Sequence, residues 1–265
     1  MTDSPVKLVS LLTDFGEQDG YTGVMKAVML GIAPGMTIID LTHEVKPQDI
    51  HGAAFLLQHH MRFYPPGTLH VCVVDPGVGS DRRILAVEAQ GQFFLAPDNG
   101  LLSFLQELGE TRIHEVSNEK LRLEQVSMTF HGRDIFAPVA AHLFNGVPLE
   151  KLGPRLKKMT RLRLPAAEID RKKKKITGSI IYVDRFGNLI TNISADMLPV
   201  PAEKTRVTFG PVALGTPKSH YAASEPGTVS AVFGSFEKLE IAVANSSAAQ
   251  YFPDYATRSV VINWS

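Results

Sequence analysis

The stretch 70–83, H-V-C-V-V-D-P-G-V-G-S-D-R-R, has the residue types and spacing best suited to chemistry in this 265-residue chain. Its apolar, β-branched run, 71–74, reads as a strand covered on both faces and ends at Asp75. Pro76, Gly77 and Gly79 then force a turn. A carboxylate at the C-terminal end of a buried strand is where open α/β sheets place ligand chemistry. Seven residues on, Arg82 supplies a permanent cation that the folded loop can return to that carboxylate. The plainer reading is a solvated surface turn. A phosphate cradle is weakly signalled, because no G-K-[ST] follows the glycines.

Other clusters carry similar choices. His131, in T-F-H-G-R-D, adjoins a glycine at a predicted helix start, where it either titrates near neutrality or merely bonds the helix end. Asp14 ends the first predicted strand at T-D-F-G, and Asp184 ends another in V-D-R-F-G-N. Gly234-Ser235 and Asn245-Ser246-Ser247 are short polar clusters that ordinary turns also use. A metal is disfavoured: His59-His60 and His43-Glu44 are present, but neither H-E-x-x-H nor paired C-x-x-C spacing occurs. A nucleophilic serine lacks its G-x-S-x-G elbow.

The elements that must position these groups alternate over the first 164 residues. Strands are predicted at 6–12, 37–41, 71–74 and 112–116, with a hairpin of 84–88 and 93–96 around Gln90-Gly91-Gln92. Helices are predicted from Tyr21 to Pro34-Gly35, over 49–63, after a Pro97-Asp98-Asn99-Gly100 turn through Leu108, and over 133–144. The first should bury Tyr21, Val24, Met25, Val28, Met29 and Ile32; the second Ile50, Ala53, Leu57 and Met61. The pattern is an α/β domain, 1–164, with a mainly parallel sheet. Residues 165–175 are polar and read as a linker. From 176 to 265 strands are expected at 178–183, 189–193, 205–209, 229–233, 239–243 and 260–262, without a convincing helix: a smaller all-β domain, barrel-like or a sandwich.

Lys plus Arg and Asp plus Glu both number 27, so no global field draws nucleic acid or an acidic membrane. The basic run 171–175 is a solvated linker on this reading. One cysteine, Cys72, excludes an intrachain disulfide and suits a reducing cytoplasm. Set in an apolar strand, it is a poor nucleophile. The polar start with Asp3 carries no signal peptide, and no apolar run approaches the roughly 20 residues of a membrane span.

Together these motifs resemble the S-adenosylmethionine hydrolases (hydroxide adenosyltransferases), relatives of the fluorinating and chlorinating enzymes. The matching text is L-T-D-F-G followed by Asp19, Gly23 and Lys26, then D-L-T-H-E, D-P-G-V-G-S-D-R-R and A-P-D-N-G-L-L. It continues with T-F-H-G-R-D-I-F-A-P, V-D-R-F-G-N-L-I-T-N and L-E-I-A-V-A-N, in order along nearly the whole chain. The resemblance implies conversion of S-adenosylmethionine and water to adenosine and L-methionine, without metal or organic cofactor. It also implies a homotrimer with active sites between subunits. The family's catalytic trio falls on Asp75, Arg82 and His131, and its ribose-diol carboxylate on Asp14. Asp184 would hold the methionine ammonium, Ser235 its carboxylate and Asn188 the adenine edge. The halide enzymes carry tyrosine at the Asp75 position, serine at Gly132, and an insertion where this chain has its Gln90-Gly91-Gln92 turn; all three differences favour water. Phe236 stands where they have an arginine. Rival readings are a non-catalytic adenosine or S-adenosylmethionine sensor, and a halide-using adenosyl transferase.

Overall fold

The computed structural model describes Val6 and residues 8–265; Lys7, within the first predicted strand, and the start with Asp3 lie outside the described residues. The chain divides into two compact units, Met1–Leu162 and Arg163–Ser265.

In the first unit, β1 (Leu8–Thr13), α1 (Tyr21–Ile32), β2 (Ile38–Thr42), α2 (Ile50–His60) and β3 (Thr68–Val73) follow in turn. The hairpin β4 (Ile84–Ala89) and β5 (Gln92–Pro97) comes next, then β6 (Thr111–Glu115), α3 (Ala137–Phe144) and the short β7 (Arg155–Leu156). The seven strands form one sheet in the order β2-β1-β3-β5-β4-β6-β7. Pairing is parallel from β2 to β5 and antiparallel from β5 to β7, so the expected mainly parallel sheet is in fact mixed. The cause is the tight Gln90-Gly91 turn: both residues have positive φ, and a turn so short can only reverse the chain.

Alternation along the strands feeds two cores. Val71 and Val73 face α1 and α3, alongside Met25, Met29 and Phe136. Cys72 and Val74 face α2, alongside Ala53 and Leu57. Each large apolar side chain fully buried in these layers stabilises the fold by about 1.5–3 kcal/mol. α2 starts where Asp49 accepts a hydrogen bond from the Gly52 N–H at 2.9 Å, a cap typically worth about 1 kcal/mol. On α1, Met25 and Met29 are buried as expected, but Tyr21 and Val24 are exposed. Of the helix expected after the Pro97-Asp98-Asn99-Gly100 turn through Leu108, only a 3-10 stretch, Ser103–Glu107, forms.

The second unit holds two sheets around one core. β10 (Ile180–Val183), β11 (Leu189–Ser194), β14 (Val229–Phe233) and β15 (Lys238–Val243) form a four-stranded sheet. β8 (Glu168–Asp170), β9 (Lys175–Gly178), β12 (Thr205–Phe209), β13 (Val212–Gly215) and β16 (Val260–Trp264) form a five-stranded one. Pairing within both is antiparallel. Ile176, Leu189, Phe209, Ile241 and Val260 meet in the shared core. The stretch read as a linker contains β8, and the basic run forms the turn of a β8–β9 hairpin, where Asp170 accepts the Lys173 N–H at 3.0 Å. A four-residue helix, α4 (Ala248–Tyr251), capped by Ser247, also stands where no helix was expected.

Candidate active site

β1 lies between β2 and β3. The chain leaves β1 toward one sheet edge through α1, then returns through α2 to the far side of β1. This is a topological switch point, where a crevice opens outside the strand ends. Thr13 at the end of β1 pairs with Val73 at the end of β3, so the following residues, Asp14 and Asp75, stand at the same crevice. A cleft of about 500 Å³ opens there, lined by both aspartates, His131 and the rings of Phe15, Tyr21 and Phe130. That size suits a small-molecule ligand.

The loop after β3 folds back on itself. The Val78 N–H donates to the Asp75 carbonyl at 3.1 Å, and the Ser80 hydroxyl to the Gly77 carbonyl at 2.7 Å. This returns Arg82 to Asp75: Nε donates to Oδ1 at 3.0 Å and to Oδ2 at 2.8 Å, and Nη2 also donates to Oδ2. The pair is well shielded, with side-chain exposures of 5% for Asp75 and 11% for Arg82. Arg82 Nη2 donates further to His131 Nδ1 at 2.8 Å. A guanidinium can only donate, so Nδ1 must accept and the imidazole proton sits on Nε2. Burial, and next the Arg82 charge, hold His131 below the ordinary histidine range, against an opposing pull from Asp75.

Two features bring His131 to this loop. Gly79 has φ 78°, and its backbone presses on the 128 segment so closely that a Cβ would collide with the Met128 carbonyl oxygen. Asp134, fully buried, accepts the Ser127 N–H at 2.8 Å and the Arg133 Nε–H, fixing the turn around His131. Directly after His131 the chain widens into a π-turn, Gly132–Phe136, a geometry that concentrates at functional sites.

Asp14 accepts the Gln48 N–H at 2.7 Å. Burial raises its carboxyl, the Gln48 hydrogen bond opposes that, and the Asp75 charge adds to the rise. Phe15, Tyr21 and Phe130 meet edge-on, with centroids 5.0–6.0 Å apart, and form an aromatic wall. Among the described residues no group of three or more His, Cys, Asp or Glu is arranged to hold a metal.

In the second unit, Asp184 closes its own turn. Oδ1 accepts the N–H groups of Phe186 at 2.9 Å and Asn188 at 2.8 Å, and Oδ2 accepts Asn188 Nδ2 at 2.8 Å. Ser235 lies exposed in the β14–β15 turn. The structure thus brings Asp75, His131 and Asp14 to one cleft, bonds Arg82 to both Asp75 and His131, and separately joins Asp184 to Asn188.

The profile of the SAM hydroxide adenosyltransferase N-terminal domain matches residues 9–153, and that of the C-terminal domain residues 178–253. The chain belongs to the SAM hydroxide adenosyltransferase family. A hydroxide adenosyltransferase relative, the (R)-S-adenosyl-L-methionine hydrolase of Salinispora tropica, is 38% identical over 80% of this chain and 85% of its own. A fluorinase of Actinopolyspora mzabensis is more distant, 30% identical over 75% of each chain. An uncharacterized conserved protein from Thermotoga maritima, solved by crystallography, superposes with a TM-score of 0.86 at 37% identity, covering 97% of this chain and all of that one.

Sequence reasoning overlooked several supports of this hydroxide adenosyltransferase cleft. Asn99 Nδ2 donates to the Val74 carbonyl at 2.8 Å, steadying the backbone just ahead of Asp75, and P-D-N-G after a strand was the available signal. Gln48, at φ 67°, had none.

Proposed function

We propose that this chain hydrolyses S-adenosyl-L-methionine to adenosine and L-methionine. The reading is carried by the bonded Asp75–Arg82–His131 trio in a switch-point cleft, in a chain similar to an (R)-S-adenosyl-L-methionine hydrolase. Asp14 grips the ribose diol through charge-assisted hydrogen bonds. Water held at the trio attacks C5′ in line with the C5′–S bond; oxygen bonds to carbon as methionine leaves as a neutral thioether. Arg82 and the substrate sulfonium favour the hydroxide-like form of the attacking oxygen. Asp75 takes the proton: each of its oxygens has two lone pairs, and Arg82 leaves capacity on Oδ1. His131 orients the water with its Nε2–H, because Nδ1 is already engaged. Alignment of the nucleophile supplies a further several kcal/mol by orientation.

Water rather than halide is supported at Gly132. A Cβ there would lie 3.1 Å from Met25 Sδ and 3.2 Å from the rings of Phe130 and Phe15, leaving little room for the serine of the halide enzymes. The second unit's Asp184 and Ser235 serve the methionine ammonium and carboxylate, and Asn188 the adenine edge, in a homotrimer whose sites lie between subunits. Sedimentation at the mass of three chains tests the assembly. The lone, buried Cys72 accords with a cytoplasmic setting. Incubating pure protein with S-adenosylmethionine tests the reaction: adenosine and methionine should appear in equal amounts. Tight binding without turnover would make the protein a sensor, and a 5′-halo product in chloride or fluoride would make it a halide enzyme.

A further inference from the structure

A second polar chain lies behind the cleft. Lys26 Nζ on α1 donates to Asp40 Oδ2 on the edge strand β2 at 2.6 Å. Asp40 Oδ1 lies 3.0 Å from His43 Nε2, off the ring's N–H axis. Nε2 is buried and has no other partner among the described residues, so Asp40 is what compensates its N–H. A carboxylate only accepts, so the proton belongs on Nε2 and Nδ1 accepts from the Thr13 hydroxyl at 2.9 Å. The Thr13 oxygen in turn accepts the Phe15 N–H at 3.3 Å. The His43 carbonyl, from the same residue, accepts the Gly16 N–H at 2.8 Å. His43 therefore grips the 13–16 segment from both ends, with Asp14 between them. Burial pushes the Asp40 carboxyl up, but the Lys26 hydrogen bond and the nearby His43 ring outweigh it and keep it below the usual range.

We infer that His43, steadied by Asp40 and Lys26, is a positioning residue for nucleoside binding: it acts through the 13–16 segment to aim Asp14. The inference rests on the proposed role of Asp14 at the ribose diol. Its logic is that of a ligating group held by outer partners, where loss of the partner weakens binding without removing the ligand.

The test uses the full chain and two probes, adenosine and 2′,3′-dideoxyadenosine, titrated calorimetrically into wild type, His43→Gln and Asp40→Asn. Asp40 is on an exposed sheet edge, so Asp40→Asn provides a variant whose folding is not at stake, and melting curves check both. Each variant should bind adenosine about tenfold more weakly and dideoxyadenosine unchanged. KM for S-adenosylmethionine should rise by a similar factor while kcat stays within about twofold. Equal weakening of both nucleosides, a fall in kcat in place of the KM change, or no change in either variant would overturn the inference. A wild-type protein that itself binds the two nucleosides equally would overturn the diol role of Asp14, a failure distinct from the failure of the relay.

Discussion

Asp75 and Asp184 begin from the same sequence idea, an apolar strand ending in Asp before a glycine-bearing turn, and the fold uses them in opposite ways. Asp184 spends its oxygens on its own turn, bonding Phe186 and Asn188 within four residues. The Asp75 turn closes through the Asp75 carbonyl and the Ser80 hydroxyl instead. Its carboxylate is left to meet Arg82 and, through it, His131, 49 residues away from Arg82 along the chain. A carboxylate bonded by its own turn is braced in place, with acceptor capacity left on Oδ2 for binding alone. One left to side chains from separate loops, at a sheet's switch point, is available for chemistry.

The contrast is broken or sharpened most strongly by paired substitutions. Asp75→Asn should lower kcat by roughly 10²–10⁴ with KM little changed, read from adenosine release. A loss shared equally between kcat and KM would make Asp75 a binding group. Gly79→Ala should come next. Positive φ and the collision with Met128 would displace the Arg82 loop, costing about 1–3 kcal/mol in denaturant unfolding and much of the turnover. Wild-type stability with intact turnover would show that the close approach is not needed.

Acid should separate the two units. His70, in the strand that carries Asp75, is fully buried between Ser10 and Gln92, and burial lowers its pKa from 6.5 to about 4. Its folded pKa lies below its unfolded one, so the neutral ring's contribution is present above pH 6.5. It is lost as pH falls toward 4, about 3 kcal/mol in all. In the second unit burial raises the Glu240 carboxyl above its ordinary value, so acid relieves a strain there rather than adding one. Circular dichroism should therefore lose stability between pH 6.5 and 4 before the fluorescence of the single tryptophan, Trp264, which reports the second unit. Coincident transitions would contradict this. The smallest effect belongs to Asp184→Asn: about 1 kcal/mol of stability, a severalfold rise in KM, and kcat within about twofold. A kcat loss as large as that of Asp75→Asn would erase the distinction between the two aspartates.

Much of this was legible in the sequence where local chemistry decides. The strands that end just ahead of Asp14, Asp75 and Asp184 and the buried stripe on α2 follow from period and turn residues. What was illegible depended on partners distant in sequence. Tyr21 and Val24 share a helical stripe with Met25, yet α1 buries only its inner edge, and Tyr21 faces the cleft. The polar 165–175 stretch reads as a linker because β8 is an edge strand with little to bury. That His131 meets Arg82 depends on Gly79 backing onto Met128, which no spacing announces.

The most direct test of the central claim is a single turnover of S-adenosylmethionine in heavy-oxygen water, with both products analysed by mass spectrometry. The account predicts heavy oxygen on the 5′-carbon of adenosine and none in methionine. Unlabelled adenosine, or a 5′ product other than adenosine, would contradict it.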